Sequence, residues 1–426
     1  MRLHTTSRRA VLRAAAAGAA MTATGCTASG RPTEVAVIWS GTELARFRQV
    51  LAAYQRWSGR AVEAISIGDD IDAFLRARHR AGTSPDVAIL SRPGLVAEYA
   101  RHGWLSTLDE RSADPFPPAW SRLLRVDGRL YGAWVKASYE SLFWYLPSLV
   151  GIPPQTWDGL VDLVRDFGKA RPGRPAPLSV GAADGWVLTA WLANLLAALA
   201  PPGFYQALAY GQAGWEEPPV RDALDLLAGL WSRPGAFPGG GRRALLTQFE
   251  ESVINVTERR AALLFEADFV ESVLAGFQAP GAEPLSTFRF PVVRGTRPVA
   301  VGGDAAVVMR GSGTGAELVE WLTRPDSFAP WIDAGGYLSP NLGIPADRYP
   351  SPLRRGLAGE IRGDDVRFDL SDQLPGTFGG ADGVGTWRIL QNFFAAVTAP
   401  GADLPGAVTD TTGQLARAAR DAERGR

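Results

Sequence analysis

Short apolar runs alternate with amphipathic stretches along the first part of the chain. The runs have strand length and cover residues 34–39, 62–67 and 85–90. The stretches place apolar side chains three and four positions apart, the spacing of one helical face, and cover residues 43–57, 70–80 and 95–102. Strands that alternate with helices in this way predict βαβ units and a parallel sheet covered by helices on both faces.

The pattern changes after residue 128. Strand-like runs are predicted at residues 130–135, 139–146, 261–265, 288–293 and 299–309, and Gly302-Gly303-Asp304 is expected to split the last of them. Helices are predicted at residues 157–169, 186–200, 204–210, 219–232, 245–255, 268–277, 317–323, 326–333, 384–397 and 405–424. The chain is therefore predicted to be an α/β protein whose second part is rich in helix.

Composition removes several classes of function. The 426 residues are 46% hydrophobic and 21% charged, which is typical of a globular protein of two or three domains. Basic and acidic residues number 44 each, so no basic excess indicates a nucleic-acid partner. One Cys and three His argue against metal clusters, disulfides and His-based catalysis, and we expect neither a metal nor a cofactor.

The first 25 residues have the pattern of an export signal. Arg2, Arg8, Arg9 and Arg13 precede a short run of small apolar residues, and no acid interrupts them. Residues 7–13 resemble a twin-arginine motif, with Val11 in place of the usual Phe. Residues 23–26 resemble a lipobox that ends on Cys26, the only cysteine. We therefore expect residues 1–25 to be removed, Cys26 to be lipidated, and residues 26–33 to tether the protein to the outer face of the cytoplasmic membrane. A spare small residue in a secretory peptide is the simpler alternative for Cys26.

Several segments, in their order along the chain, resemble the carbohydrate-type extracellular solute-binding proteins of bacterial ABC importers. They are Val37-Ile38-Trp39-Ser40-Gly41, Pro85-Asp86-Val87-Ala88, Gly103-Trp104-Leu105, Asp127-Gly128-Arg129-Leu130-Tyr131-Gly132, Asp184-Gly185-Trp186, Ala262-Leu263-Leu264-Phe265-Glu266, Val301-Gly302-Gly303-Asp304 and Gly335-Gly336-Tyr337-Leu338-Ser339-Pro340.

The resemblance implies a two-lobed periplasmic-binding-protein-like fold of type II, with the ligand cleft between the lobes. It places lobe 1 at residues 34–136 plus 298–340 and lobe 2 at residues 137–297 plus 341–426. It also implies closure of the lobes over the ligand by hinge bending, and ABC permease subunits as partners. We expect the receptor to be monomeric.

A sugar presents apolar C–H faces to aromatic rings and hydroxyls to carboxylates and amides. Residues of both kinds stand at the ends of predicted strands or in loops, where ligands bind in open α/β sheets. The predicted ligand-binding residues are Trp39, Ser40, Asp69, Asp70, Trp134, Lys136, Asp184, Trp186, Glu266, Asp268, Asp304, Tyr337 and Trp387.

Most of these residues also have a structural alternative. Trp39 and Trp387 are consistent with core packing, and Lys136, one of two lysines, is consistent with a surface ion pair. Trp134 and Lys136 alternate along a strand and are expected to share one face. The carboxylates Asp70, Asp184, Glu266 and Asp268 stand where they could cap helices. Tyr337 is expected to be exposed in a Gly-Gly-Tyr loop, and we favour Trp186 as a cleft residue.

Two other functions stay open at the level of sequence. A secreted carbohydrate-active hydrolase needs two carboxyl groups at a fixed separation, for which Glu266 and Asp268 are candidates, although nothing in their spacing singles out an acid/base pair. A receptor for a peptide or a polyamine would share the fold. We predict that the protein captures a sugar or oligosaccharide, delivers it to a permease and catalyses no reaction.

Overall fold

The computed structural model describes residues 31–168, 173–277, 281–363, 365–379 and 385–424. The predicted export signal and Cys26 lie outside this part of the chain. The strands are β1 (Thr33–Val37), β2 (Val62–Ser66), β3 (Val87–Leu90), β4 (Arg125–Val126), β5 (Arg129–Leu130), β6 (Ala133–Tyr139), β7 (Leu142–Tyr145), β8 (Ala176–Ser179), β9 (Ala261–Phe265), β10 (Ser286–Arg289), β11 (Ala300–Val308) and β12 (Arg367–Phe368).

The α-helices cover most of the predicted helical segments and add short ones. They are α1 (Gly41–Ser58), α2 (Ile71–Arg80), α3 (Pro93–Arg101), α4 (Pro118–Arg122), α5 (Trp157–Gly168), α6 (Gly185–Leu199), α7 (Phe204–Ala209), α8 (Pro218–Trp231), α9 (Gly240–Ala244), α10 (Phe249–Thr257), α11 (Val270–Phe277), α12 (Gly315–Leu322), α13 (Ala329–Ala334), α14 (Pro352–Glu360), α15 (Leu370–Gln373), α16 (Gly376–Gly379), α17 (Thr386–Val397) and α18 (Leu404–Arg424). In the part of the chain that the structure describes, no helix combines the length and the apolar character needed to cross a membrane.

The first sheet has the strand order β12-β11-β3-β1-β2, with β6 paired to β11. Its first three strands in sequence are parallel, as the βαβ pattern predicts, and α1 follows β1 directly. Gly59 ends α1 in the left-handed region at φ 72°, where its amide donates to the carbonyl of Gln55. β11 is antiparallel to both β3 and β6, so the sheet is mixed rather than wholly parallel.

The expected break in β11 is absent. Gly302 and Gly303 lie inside one continuous strand, and their lack of a side chain serves close packing instead of a turn. A Cβ atom on Gly303 would lie 2.7 Å from the carbonyl oxygen of Lys136, and one on Gly302 would overlap the carboxylate of Glu140. The two glycines therefore let β6 and the segment after it approach β11 closely.

A second sheet has the order β10-β7-β9-β8, and helices α5, α6, α8, α17 and α18 contribute to the hydrophobic core beside it. The first sheet has a separate core, and the chain passes between the two regions near residues 142, 296 and 369. We name these regions the first lobe (residues 33–142 and 300–368) and the second lobe (143–293 and 370–424), and we call the three connections the crossings.

These lobe limits differ from the sequence-based ones at the third crossing. The predicted boundary places the passage to the second lobe at residue 341, whereas Ile344, Tyr349, Leu357 and Ile361 pack in the first core. β12 also pairs with β11 in the first sheet, and only then does the chain cross. The physical reason is the apolar face of α14, which the sequence analysis did not identify as a helix.

Candidate functional site

A cleft of about 640 Å³ is lined by residues of both lobes and of the crossings. The first lobe contributes the loop after β1, the start of α1, and parts of β6 and β11. The second lobe contributes the C-terminal end of β9, the residue before α6, and the first turns of α10 and α17. Eight of the predicted ligand-binding residues line this cleft: Trp39, Ser40, Lys136, Asp184, Trp186, Glu266, Asp304 and Trp387.

A second cavity, of about 780 Å³, lies between α3, α17 and α18. It is larger than the cleft, but it contains none of the predicted ligand-binding residues. The cleft combines aromatic rings with buried polar groups from several elements, which is the usual composition of a small-molecule site. We therefore take the cleft as the candidate site.

Lys136 is buried at the first-lobe wall of the cleft and forms ion pairs there. Its Nζ lies 3.1 Å from Oε1 of Glu43 and 3.7 Å from Oδ2 of Asp304. Oδ2 of Asp304 also accepts a hydrogen bond of 3.0 Å from Nε1 of Trp39. Burial raises the pKa of Asp304 to about 6, although the charge of Lys136 acts against that shift. Lys136 is thus paired, but inside the cleft and not on the surface.

Trp39 combines the two roles that the sequence left open. Its ring is only 3% exposed and packs edge-on against Phe47 and Trp331 in the first core. Its N–H group nevertheless points to Asp304 at the cleft. The core therefore fixes the ring, and the ring fixes the orientation of a cleft carboxylate.

Trp134 does not share a face with Lys136, contrary to the expectation from strand alternation. The pairing of β6 with β11 shifts by one residue, because Lys136 pairs with Asp304 whereas Trp134 pairs with Ala305. Such a bulge interrupts the alternation of side chains along a strand. Trp134 is 1% exposed and contacts Trp120 and Phe368 in the first core, so it lies outside the cleft.

An aromatic cluster forms part of the second-lobe wall. The half-buried ring of Trp186 lies 5.5 Å from that of Phe249 and 6.0 Å from that of Phe269, measured between centroids. Asp184 stands at the N-cap position of α6, but its side chain makes no cap for that helix. Its Oδ2 accepts a 2.6 Å hydrogen bond from the amide of Phe249, the first residue of α10. Asp184 thereby holds Phe249 next to Trp186.

Glu266 and Asp268 follow the same strand but have different environments. Glu266 lines the cleft and is 3% exposed, and its Oε1 has no hydrogen-bond partner among the described residues. Burial raises its pKa well above the ordinary value, and the charge of Asp184 adds to the shift. Asp268 is outside the cleft: its Oδ1 accepts from the amide of Tyr139 at 2.6 Å and its Oδ2 pairs with Arg354 of the first lobe. The helix that follows them, α11, begins at Val270.

The remaining predicted residues lie elsewhere. Tyr337 is 2% exposed rather than exposed as expected, because its ring stacks on Phe328 and its hydroxyl donates to the carbonyl of Val135 at 2.6 Å. Asp70 is exposed before α2, and its side chain accepts no capping bond there. The backbone of Asp69 belongs to a 3-10 turn, and its side chain lies outside the described part of the structure.

The crossings supply site residues that sequence reasoning missed. Glu140 accepts from Ser138 at 2.7 Å, and burial raises the pKa of its carboxyl to about 8, with the charge of Asp369 as the next cause. Asp369 caps α15 by accepting from the amide of Ser371 at 2.8 Å. The sequence Asp369-Leu370-Ser371-Asp372 has the polar spacing of a helix start, which is a signal that could have located α15. Nothing in the sequence indicates that Glu140 faces these residues.

Comparison with known proteins agrees with this architecture. A model of the bacterial extracellular solute-binding protein family matches residues 39–327. The osmoprotective compounds-binding protein GgtB of Synechocystis sp. is 28% identical over 357 residues, which cover 80% of this chain and 83% of the relative. The alpha-glucosides-binding periplasmic protein AglE of Rhizobium meliloti is 27% identical over 368 residues, which cover 80% and 79%.

Among solved structures, the bacterial solute receptor AcbH, described as having an exclusive preference for β-D-galactopyranose, superimposes with a TM-score of 0.78. The superposition covers 92% of this chain and 98% of that receptor at 15% identity, so it supports the two-lobed fold alone. The family model covers well over half of the chain. The chain therefore belongs to the bacterial extracellular solute-binding protein family.

Proposed function

We propose that the protein is the receptor of an ABC importer and that it captures a sugar or oligosaccharide in the cleft. The observation that carries this proposal is the composition of the cleft wall, where the ring of Trp186 stands beside carboxylates and hydroxyls. The relatives named above support it, since one is described as binding alpha-glucosides and the solved receptor as binding a galactopyranose.

The two lobes contribute different kinds of group to the cleft. Trp186 and Trp387 on the second lobe offer apolar surface to a sugar face, while Asp304 and Ser40 on the first lobe offer acceptors to hydroxyls. The crossing residues, including Glu140, lie between them. Closure around the crossings removes the sugar from water, which strengthens each hydrogen bond.

The hydrolase alternative does not hold. Membership of a solute-binding family identifies the chain as a binding protein and not an enzyme. A bound sugar should therefore be recovered intact.

A thermal-shift screen of the chain without residues 1–25 over a sugar panel, with a tripeptide and spermidine as non-sugar probes, tests the proposal. We expect at least one sugar to raise the melting temperature by several degrees, since a ligand at one hundred times its Kd adds about 2.7 kcal/mol to the free energy of unfolding. Chromatography of the sugar after incubation should show no turnover. Stabilisation by the peptide or the polyamine, with none by any sugar, would contradict the proposal.

Export, anchoring and a monomeric state complete the proposal. The family is extracellular, and the twin-arginine-like motif and Cys26 support export followed by lipidation. We predict that Cys26→Ser moves the protein from the membrane fraction to the soluble extracellular or periplasmic fraction, because a diacyl anchor supplies the two chains that stable attachment needs. Equal membrane fractions for the wild type and the variant would exclude the anchor.

A further inference from the structure

The cleft carries an excess of acidic side chains over basic ones. Lys136 is the one cationic side chain in its described lining, and it is already paired with Glu43 and Asp304. Other carboxylates of the lining remain after this pairing: Glu140, Asp184, Glu250, Glu266, Asp369 and Asp372. The positive charge of buried Arg92 lowers the pKa of Asp369 and of Asp372, against the effect of burial. Among the described residues, no positive charge contributes to the pKa shifts of Asp184 or Glu266.

Glu266 shows where this excess is least compensated. The side chain of Glu266 is only 3% exposed and lines the cleft. Its Oε1 atom has no hydrogen-bond partner among the described residues. Burial and the charge of Asp184 raise the pKa of Glu266, and the amide of Ala267 acts against that shift. Buried polar atoms in native proteins are nearly always satisfied, so Oε1 of Glu266 is an acceptor at the cleft that is available to a donor group of a ligand.

The aromatic cluster beside Glu266 is suited to a cation. Trp186, Phe249 and Phe269 contact one another at the second-lobe wall. The Nζ of Lys136 already lies 5.4 Å from the ring centroid of Phe269, so this cluster receives an ammonium group on one side. The faces of aromatic rings attract ammonium groups, and Trp does so most strongly.

We propose that the ligand is an amino sugar with a free, protonated amine, and that the ammonium group binds between the carboxylates of Glu266 and Asp184 against the ring of Trp186. This inference rests on the proposed function and specifies its substrate class. An ammonium group donates the hydrogen bond that Oε1 of Glu266 lacks, and its charge favours the ionised form of both carboxyl groups. The hydroxyls of the sugar then bind the polar residues of the crossings, such as Ser138 and Ser371.

Matched sugars test the amine directly. Calorimetric titrations should compare glucosamine with glucose and N-acetylglucosamine, galactosamine with galactose, and chitosan disaccharide with cellobiose, at two salt concentrations. We expect at least one amine to bind about tenfold or more tightly than its neutral parent, and added salt to reduce that preference. Acetylation should abolish the preference, because it removes the charge and keeps the nitrogen.

Two variants assign the preference to its residues. Glu266→Gln should reduce the preference for the amine, measured as the ratio of the Kd of the neutral parent to the Kd of the amine, to about onefold. Glu216→Gln removes the same charge at an exposed site outside the cleft and should leave the preference intact. The melting temperature of each empty variant shows whether it folds. If Glu266→Gln does not fold, Asp184→Asn provides the second test.

The outcomes separate this inference from the proposed function. Equal or weaker binding of every amine would overturn the amino-sugar assignment and leave the sugar receptor intact. So would a Glu266→Gln variant that loses amine and neutral sugars by the same factor. Binding of spermidine without any sugar would overturn both, as would the absence of binding by every sugar tested.

Discussion

Trp186 and Trp191 lie on the same helix, α6, but have different surroundings. Trp186 is half-buried at the cleft, whereas Trp191 is 1% exposed and contacts Phe143, Phe265 and Trp231 in the second core. The same residue type therefore lines the cleft at one position and packs in the core five residues later.

Trp186→Ala should weaken sugar binding about tenfold, because the ring that stacks on the sugar is lost. It should lower the free energy of unfolding of the empty protein by no more than about 1 kcal/mol. Trp191→Ala is the control and should cost about 3–5 kcal/mol, since it leaves a cavity in the core. Titration calorimetry and chemical unfolding measure both effects. A loss of stability in Trp186→Ala as large as that in Trp191→Ala would place Trp186 in the core.

Asp304 makes the stability of the empty protein depend on pH. Burial raises the pKa of Asp304 from 3.8 to about 6. Between pH 3.8 and pH 6, the carboxyl group is therefore mostly protonated in the folded state and mostly ionised in the unfolded chain. The free energy of unfolding contributed by this group is therefore greatest below pH 4 and falls as the pH rises towards 6.

Asp304→Asn removes this dependence. Compared with the variant, the wild type should lose about 2 kcal/mol of relative stability between pH 4 and pH 7, which is most of the free energy that the shift in the pKa of Asp304 represents. Urea unfolding of both proteins across this range measures the difference. A difference that stays constant with pH, or that changes in the opposite direction, would show that Asp304 does not retain the proton.

At the scale of elements, close contacts between backbones position the cleft. The first residue of α6, Gly185, packs against α17, and a Cβ on it would lie 2.5 Å from Cβ of Trp387. Trp186 and Trp387 thus line the cleft together because Gly185, which has no side chain, lets their helices approach closely. The bulge in β6 has a similar effect, since it turns Lys136 to the cleft while Trp134 stays in the core.

Gly185→Ala should destabilise the protein by about 1–3 kcal/mol and weaken sugar binding, because α17 must move away from α6. Gly229→Ala is the matched control: Gly229 is exposed within α8, and nothing lies within 4 Å of the position of its Cβ. Alanine there should stabilise the protein by about 0.5–1 kcal/mol and leave binding unchanged. Thermal unfolding and titration of both variants test this pair, and equal effects would refute the close-contact argument.

For the whole molecule, two of the three crossings are joined by one buried side chain. Asn194 of α6 is fully buried; its Nδ2 donates to the carbonyl of Glu140 at 2.9 Å, and its Oδ1 accepts from Ser141 at 2.5 Å. Ser141 in turn accepts from the amide of Ala300 at 2.7 Å. Two crossings are therefore joined to the second lobe at one point, which is where a hinge would act.

We expect the most stabilising sugar of the panel to reduce the radius of gyration in small-angle X-ray scattering, because closure brings the lobes together around this point. The Trp186→Ala variant, at a sugar concentration below its own Kd, should keep the radius of the empty protein. An unchanged radius for saturated wild-type protein would mean that the lobes bind the sugar without closing.

Local patterns predicted the elements of the chain well where side chains repeat with a helical or strand period. The helices that begin at Gly41, Trp157 and Gly185 lie within two residues of their predicted starts, as does the strand Ala261–Phe265. The two-lobed fold came from the order of motifs and is confirmed by the structural comparison. Residues next to strand ends, such as Ser40 and Glu266, could also be placed at the cleft, because the ends of strands open onto it.

The sequence by itself therefore determined the elements and the family, since both are encoded in short stretches of the chain. Only the tertiary structure decided which polar residues meet. Trp134 and Lys136 are separated by a bulge that depends on pairing with β11, and Asp268 is withdrawn from the cleft by Arg354, 86 residues away. Glu140 and Asp369 come near each other because each follows a strand that pairs with the start of β11. Contacts of this kind arise from packing between distant segments, and no local period records them.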